Sequence, residues 1–232
     1  MAERVSRPRR VARPMDMTND DDLTPEMAVL AAALRAPDAD TPAFDDASFA
    51  RLRERIAARA LERGLADVAI ARHDSPLGRL VLGATESGLV RVGLPAEDEA
   101  AVLDELAARV SPRVLRAPRA VLDDARRQLD EYFAGRRQVF ALALDWRLTA
   151  GFRHAVLRAT AAIPFGRTAT YREIAARAGS PAAHRATGSA LASNPLPIVV
   201  PCHRVLPSGG GVGQYRGGTE AKARLLALEG TV

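Results

Sequence analysis

The sequence predicts an α/β domain followed by a mainly α domain that contains a winged-helix-like helix-turn-helix. Apolar runs between residues 68 and 94 are short and separated by turns rich in Gly, Ser and Pro, which is typical of a β-meander. Helical spacing of apolar residues returns at 97–110 and 118–134. After Trp146 the pattern is helical and the loops are short. We therefore expect a sheet-containing first domain and a helical second one.

These patterns divide the chain into three parts. Residues 1–64 are assigned to a helical or partly disordered extension, 65–145 to the α/β domain and 146–232 to the second domain. Within the extension, Thr24 can cap a short helix, because the next residue is a proline suited to the first helical position. A second helix is predicted over 48–63, where apolar residues recur at helical spacing and a glycine follows.

The individual elements follow from the same signals. The segments VAIAR, GRLVLGAT and LVRVGL predict strands, and VFALAL at 139–144 predicts a last strand. In the second domain, helices are predicted from Phe152 to Ile163, from near Tyr171 to Ala178, and over 181–193 with Ser180 as the cap. The last two helices are short and joined by a turn that contains glycine, so we interpret them as a helix-turn-helix.

The composition excludes several classes of protein. The chain has 232 residues, of which 47% are hydrophobic and 26% charged, which is typical of a globular protein. No stretch approaches the ~20 apolar residues that a membrane span requires, so we expect no membrane association. Cys202 is the only cysteine, which excludes an intrachain disulfide framework and favours the cytoplasm. The histidines lie in unrelated settings, and we expect no metal.

The excess of basic over acidic residues lies in the second domain. Residues 146–232 carry ten arginines and Lys222 against three glutamates, a net charge of +8. The chain as a whole carries +5, which leaves −3 for residues 1–145. This positive charge indicates a polyanionic partner for the second domain.

The segment most informative about chemistry is NPLPIVVPCHRV at 194–205. Two prolines flank an apolar run that delivers the single thiol beside a histidine and an arginine. A lone buried cysteine is usually an inert apolar side chain. Here His203 follows Cys202 directly, and a nearby base or cation favours the thiolate, which is the nucleophile. Adjacent side chains on extended backbone point apart, so His203 need not contact the sulfur and can act through a water. Glu229, one of three acids in this half of the chain, is the natural partner to orient His203.

These residues resemble a known family. PCHRV, preceded by NPLPIV and followed by GGGVGQYRGG and a helix that ends in LLALEG, is similar to the O6-alkylguanine-DNA alkyltransferases, the methylated-DNA protein-cysteine methyltransferases. The resemblance extends from about Phe152 to Gly230, and the meander resembles the more variable, ribonuclease H-like first domain of that family. Residues 1–64 have no counterpart in the family core.

The resemblance implies a function and a catalytic group. Cys202 would take the alkyl group from O6 of guanine in duplex DNA and keep it, which makes the protein a single-use reagent that needs no cofactor. His203, oriented by Glu229, would act as the base through a water. The protein would work as a monomer. O4-alkylthymine is left open as a second substrate.

The resemblance also implies which residues bind the substrate. Tyr215 would donate its hydroxyl to the guanine, while the backbone of Val205 and Arg216 and the carbonyl of Cys202 would contact the base edge. Asn194 would hold the turn before the active-site loop by bonding backbone groups.

The expected contacts with DNA lie on the helix pair. Tyr171 would press on the phosphate 3′ to the target, and Arg185 would fill the gap left in the base stack. Small residues, Ala186 and Gly188, would let the helix approach a groove closely. An alkyl group on O6 lies inside the duplex, so the nucleotide must rotate out at a cost of a few kcal/mol, and some side chain has to occupy the gap.

Two rival functions remain open from the sequence. An alkyltransferase-like sensor would flip alkylated bases without accepting the group, but those proteins lack the thiol that Cys202 supplies. A Cys-His hydrolase acting on small acyl substrates would have no need for a helix-turn-helix or for the positive charge of the second domain.

Overall fold

A four-stranded sheet forms the first half of the described chain. The computed structural model describes residues 46–231, and the helix predicted after Thr24 lies outside this range. The strands are β1 (Val68–Ser75), β2 (Gly78–Thr85), β3 (Gly88–Gly93) and β4 (Val114–Arg116). Their order in the sheet is β3-β2-β1-β4, in which the first three strands are antiparallel neighbours and β4 runs parallel to β1. The meander expected from the sequence is confirmed, whereas β4 was not predicted.

Helices cover both faces of this sheet. They are α1 (Asp46–Glu62), α2 (Glu99–Arg109) and α3 (Ala120–Phe133). Val68, Ile70 and Val90 on one face pack with Val102 and Leu106 of α2. The opposite face contributes to the main core of the protein, which α3 also joins. The first described helix, α1, packs against the same core through Ala57 and Leu61 and belongs to the same compact unit as the sheet.

The strand predicted at 139–144 is wrong. The segment has one isolated bridge, between Leu89 and Leu144, and is otherwise irregular. Near its end, the Ala143 carbonyl accepts from the Leu89 amide of β3 at 2.8 Å. At Ala141 a side chain of α3 replaces a neighbouring strand, because the side-chain amide group of Gln128 donates to the Ala141 carbonyl at 3.0 Å and accepts from the Ala141 amide at 2.7 Å. The segment therefore meets β3 at one point and does not continue as a strand.

The second half of the described chain is mainly helical. Its elements are α4 (Gly151–Ala161), β5 (Ala169–Thr170), α5 (Tyr171–Arg177), α6 (His184–Ala192), a 3-10 turn (Cys202–Arg204), β6 (Val205–Leu206) and α7 (Gly218–Leu228). Thr170 and Glu173 form a capping box at the start of α5, where each side chain bonds the backbone of the other. The small parallel pair β5 and β6 was not predicted.

The third predicted helix begins later than expected. We predicted it from residue 181 with Ser180 as the cap, but α6 starts at His184 and its N-cap, Ala183, makes no side-chain cap hydrogen bond. The amide of Ala183 instead donates to the carbonyl of Ser180 at 2.9 Å, which closes a separate turn before the helix. The helix pair α5–α6 keeps its predicted order and its glycine-containing turn.

The two halves share one core. The largest cluster of buried apolar residues includes Leu82 of the sheet, Leu129 of α3, Val156 of α4 and Cys202. The amide of Val92 in β3 donates to the carbonyl of Pro195 at 2.8 Å, which ties the edge of the sheet to the segment before the cysteine. Within residues 46–231, no helix combines the length and apolar character needed to cross a bilayer.

Candidate active site

The segment that carries the cysteine is fixed by a buried amide. Asn194 is 1% exposed and follows α6. Its Nδ2 donates to the Val200 carbonyl at 2.9 Å and to Cys202 Sγ at 3.2 Å, while its Oδ1 accepts from the Leu196 amide at 3.0 Å. Ile198 between them has a φ of 73°, a left-handed conformation that a β-branched residue rarely adopts. Asn194 therefore bonds the backbone of the loop and also contacts the sulfur.

Cys202 begins the 3-10 turn and is 6% exposed. Burial raises the pKa of its thiol, and this effect outweighs the hydrogen bond from Asn194 and the positive charge of Lys222, which both act in the opposite direction. The resting sulfur is therefore a protonated thiol at neutral pH, and it requires a base before it can act as a nucleophile.

His203 supplies a candidate base behind the cysteine. Its ring is fully buried, and Nε2 lies 2.9 Å from Oε1 of Glu229. An ionised carboxylate can only accept, so Nε2 carries the proton and Nδ1 has a free lone pair. Among the described residues, Nδ1 has no hydrogen-bond partner. Burial lowers the pKa of His203 although Glu229 acts to raise it, so the imidazole is neutral at rest and can take up a proton.

Glu229 is the most heavily bonded carboxylate of the site. Besides His203, it accepts from the Tyr132 hydroxyl at 2.7 Å and from Arg204 through Nε at 2.8 Å and a terminal nitrogen at 2.9 Å. The Gly166 amide adds a longer bond of 3.4 Å. Burial alone would raise the pKa of Glu229, but these hydrogen bonds lower it from 4.5 to about 2. The carboxylate therefore stays charged throughout the neutral range.

A cavity of about 640 Å³ opens in front of the cysteine. It brings together six of the residues predicted from the sequence, which are Tyr171, Arg185, Gly188, Cys202, Tyr215 and Arg216. Arg172 and His184 also line it, and no Asp or Glu is present among its lining residues. The cavity therefore has a cationic rim suited to an anionic ligand.

Five predicted residues do not line this cavity. His203, Glu229, Asn194 and Val205 are buried and support Cys202 from within the protein. Ala186 is exposed on the surface of α6. The structure therefore distinguishes residues that line the cavity from buried residues that support Cys202, a distinction that the sequence did not provide.

Tyr215 and Val205 differ in how their polar groups are used. The hydroxyl of Tyr215 is buried and has no partner among the described residues, so it is available to a ligand. Burial raises its pKa well above 10, and the nearby Cys202 adds to this effect. The Val205 amide instead donates to the Cys202 carbonyl, and the Val205 carbonyl accepts from Lys222 Nζ at 2.7 Å. For a base edge, Val205 therefore offers only the second lone pair of its carbonyl.

Three residues of the site were missed. Arg204 belongs to the PCHRV motif, and its position beside His203 was the available signal. Tyr132 lies on α3, 97 residues from Glu229, and nothing local to it indicates this contact. Lys222 is fully buried in α7, and burial lowers its pKa to about 8. A single lysine among arginines at an inward position of a helix was its only signal.

No metal site accompanies this arrangement in the described part of the chain. Residues 46–231 hold no group of three or more His, Cys, Asp or Glu side chains that could bind a metal ion.

Family models agree with both halves of the fold. The model for the ribonuclease-like domain of 6-O-methylguanine DNA methyltransferase matches residues 69–146, and the model for its DNA-binding domain matches residues 151–231. The chain belongs to this family. The resemblance found in the sequence and the fold class assigned to it are both confirmed.

Individual members of the family are similar over most of their length. The constitutive methylated-DNA–protein-cysteine methyltransferase of Bacillus subtilis is 40% identical over 157 residues, which is 67% of this chain and 92% of that protein. The crystal structure of the Mycobacterium tuberculosis O6-methylguanine methyltransferase has a TM-score of 0.60 at 35% identity and covers 70% of this chain and 92% of its own. The M. tuberculosis protein in complex with DNA gives 0.59 at 34% identity, with coverages of 70% and 91%.

Proposed function

We propose that this family member repairs DNA by moving the alkyl group of O6-alkylguanine to Cys202, once and irreversibly. The main support for this proposal is the position of Cys202, the only cysteine of the sequence. It lies at a cationic cavity and beside the buried pair of His203 and Glu229. A thiol that is protonated at rest and backed by a neutral imidazole is suited to displacement on a bound substrate.

The reaction begins with removal of the thiol proton. Nδ1 of His203 takes this proton through a water, and the imidazolium that forms is stabilised by Glu229 at Nε2. Since the carboxylate is already charged, no proton has to leave it.

The sulfur then attacks the alkyl carbon in line with the C–O6 bond. The S–C bond forms as the C–O6 bond breaks, and its electron pair moves onto the guanine. Tyr215 donates a hydrogen bond to the base as this negative charge develops, and its hydroxyl, which has no partner within residues 46–231, gives up no bond to that part of the protein in doing so. The proton held by His203 finally returns to the guanine, which leaves a neutral base and a thioether at Cys202.

Access to the base requires that the nucleotide leave the helix. The DNA-facing helix α6 carries Arg185, which is exposed and lines the cavity. We propose that Arg185 occupies the gap in the stack and that Tyr171, at the start of α5, presses on the 3′ phosphate. Ala186 and Gly188 present little side chain, so the helix can approach the groove closely.

Three further assignments complete the proposal. The α/β domain covers residues 65–145, the DNA-binding alkyltransferase domain 146–232, and the extension 1–64, whose helix α1 packs onto the core of the protein. The protein acts as a monomer, which sedimentation analysis with and without duplex DNA tests directly. It works in the cytoplasm, and a fluorescent fusion in the native host tests this location.

Replacing the acceptor sulfur tests the proposed function. Cys202→Ala should abolish transfer of a labelled methyl group from duplex DNA, because no S–C bond can form. Binding of the variant to the same duplex, measured by fluorescence anisotropy, should persist, since the phosphate contacts come from the helix pair. Loss of binding together with transfer would show that Cys202 is structural. Transfer retained without the thiol would exclude Cys202 as the acceptor.

A further inference from the structure

The loop that carries Tyr215 is tied to the sheet domain by an ion pair. Nε of Arg216 lies 2.8 Å from Oε2 of Glu97, and the side chains are 29% and 11% exposed. Glu97 lies in the turn between β3 and α2, so this contact joins residues 119 positions apart in sequence. Because Arg216 directly follows Tyr215, holding its guanidinium restricts the backbone that presents the tyrosine.

Glu97 is itself held in place by buried partners. Its carboxylate pairs with Arg91, whose side chain is 1% exposed, and its Oε1 accepts from the Leu94 amide at 2.9 Å. Burial acts to raise the pKa of Glu97, but the hydrogen bonds from Arg91 and Leu94 prevail and lower it. The carboxylate is therefore charged and immobile at neutral pH, unlike one on a flexible surface side chain.

Close packing at the same place supports this tie. A Cβ added to Gly217 would lie 3.0 Å from Cδ1 of Leu94 and 3.0 Å from Cε1 of Tyr215, which is tighter than ordinary contact. The segment from Leu94 to Glu97 thus touches the loop on the residues that follow Tyr215. The ion pair of Arg216 with Glu97 and the close packing of Gly217 thus hold the loop at three consecutive residues, 215–217.

We propose that Glu97 is a positioning residue for the acceptor site, which acts through Arg216 to hold the Tyr215 loop in its reactive arrangement. The inference rests on the proposed alkyl transfer and adds a role for a residue outside the cavity. A fixed loop lowers the cost of bringing the Tyr215 hydroxyl to the base, since small displacements of a positioned group reduce rates strongly. The effect should therefore appear mainly in the maximal rate of transfer, with a smaller change in substrate affinity.

The chain offers a matched control for this test. Glu105 also pairs with Arg91, through Nε at 3.0 Å, but its other partner is Arg109 and not the loop. Glu97→Gln and Glu105→Gln each remove one carboxylate from the same buried arginine. Only the first breaks the tie to Arg216. Arg216→Gln breaks the tie from its more exposed side without touching Arg91.

The experiment measures single-turnover alkylation of Cys202 by free O6-benzylguanine, which needs no DNA. Wild type, the three single variants and the Glu97→Gln/Arg216→Gln double variant are compared over a range of base concentrations, and a thermal melt is recorded for each. We expect Glu97→Gln and Arg216→Gln each to lower the maximal rate about tenfold. The double variant should be no slower than either single variant, because both changes break the same ion pair. Glu105→Gln should react like wild type.

Several results would overturn the inference. The first is that Glu97→Gln reacts at the wild-type maximal rate. The second is that Glu105→Gln loses as much rate as Glu97→Gln. The third is that the rate of the double variant falls by the product of the two single effects. If Glu97→Gln fails to fold, Arg216→Gln provides the test. A wild-type rate for Arg216→Gln at an unchanged melting temperature would show that the ion pair does not position the Tyr215 loop. A wild-type protein that alkylates Cys202 neither with O6-benzylguanine nor with a duplex that contains O6-methylguanine would refute the proposed function itself, which is a separate outcome.

Discussion

Replacing Glu229 with glutamine should destabilise the protein by an amount that depends on pH. The pKa of this carboxyl falls from 4.5 to about 2 on folding, which corresponds to roughly 3 kcal/mol at about 1.4 kcal/mol per pKa unit. Because the folded pKa is the lower one, this contribution is complete above pH 4.5 and is lost as pH falls toward 2. The variant should therefore lose about 3 kcal/mol of unfolding free energy at pH 7, and less below pH 4.5.

Urea unfolding at a series of pH values measures this difference. Glu220→Gln is the matched control, since Glu220 lies on the same helix, α7, but its side chain is 79% exposed and its one ion pair within residues 46–231 is with the exposed Arg224. We expect the control to change stability by less than about 1 kcal/mol, as exposed ion pairs contribute little. Equal stability of Glu229→Gln and wild type at pH 7, or a difference that does not shrink in acid, would refute this role for the carboxylate.

The same variant should also slow alkyl transfer. Without the carboxylate, the imidazolium of His203 loses its stabilising partner, and a weaker base removes the thiol proton more slowly. Transfer measured from pH 6 to 9 should be slower than in wild type throughout. An unchanged rate across this range would remove Glu229 from the mechanism.

Three further predictions concern the DNA contact, the cavity and the fold. Arg185→Ala should slow repair of duplex DNA but change the reaction with free O6-benzylguanine little, because the free base needs no flipping; an equal loss on both substrates would assign Arg185 to the pocket or the fold. Tyr215→Phe should slow transfer about tenfold or more while leaving the melting temperature unchanged or higher, since the buried hydroxyl has no partner in the described part of the chain; a lower melting temperature would contradict this. Gly88→Ala should destabilise the fold by several kcal/mol, because φ is +136° and a Cβ would overlap the Ala143 carbonyl; Gly135→Ala, at a φ of +71° with open space around it, should cost less in the same urea assay.

Periodicity predicted the elements that pack by regular alternation. β1 to β3 and the helices from α2 to α5 lie close to their predicted ranges, because each buries an apolar face whose spacing is visible in the sequence. β4 has only three residues and exists because β1 offers it a partner. The segment at 139–144 looks like a strand in composition, but the Gln128 side chain takes both backbone hydrogen bonds of Ala141, which no local pattern reveals.

The residues of the site likewise include some that the sequence could predict and some that it could not. The sequence around Cys202 is contiguous, so the thiol, the histidine and the asparagine could be found together. The contacts of Tyr132 and Arg204 with Glu229 span 97 and 25 residues, and that between Glu97 and Arg216 spans 119. The contacts of Tyr132 with Glu229 and of Glu97 with Arg216 depend on how the sheet domain meets the helical domain, and the sequence of either domain alone does not contain that information. The contact of Arg204 with Glu229 lies within the helical domain but depends on how α7 packs against the 3-10 turn.

Intact mass spectrometry after incubation with a duplex that contains one O6-methylguanine shows whether Cys202 accepts the methyl group. We expect a single mass increase, equal to one methyl group in place of one hydrogen, confined to the peptide that holds Cys202 and absent with an unmodified duplex. The increase should be stoichiometric and permanent, since the thioether is not hydrolysed. An unmodified protein that still binds the duplex tightly would instead indicate a damage sensor, and modification at any other residue would exclude Cys202 as the acceptor.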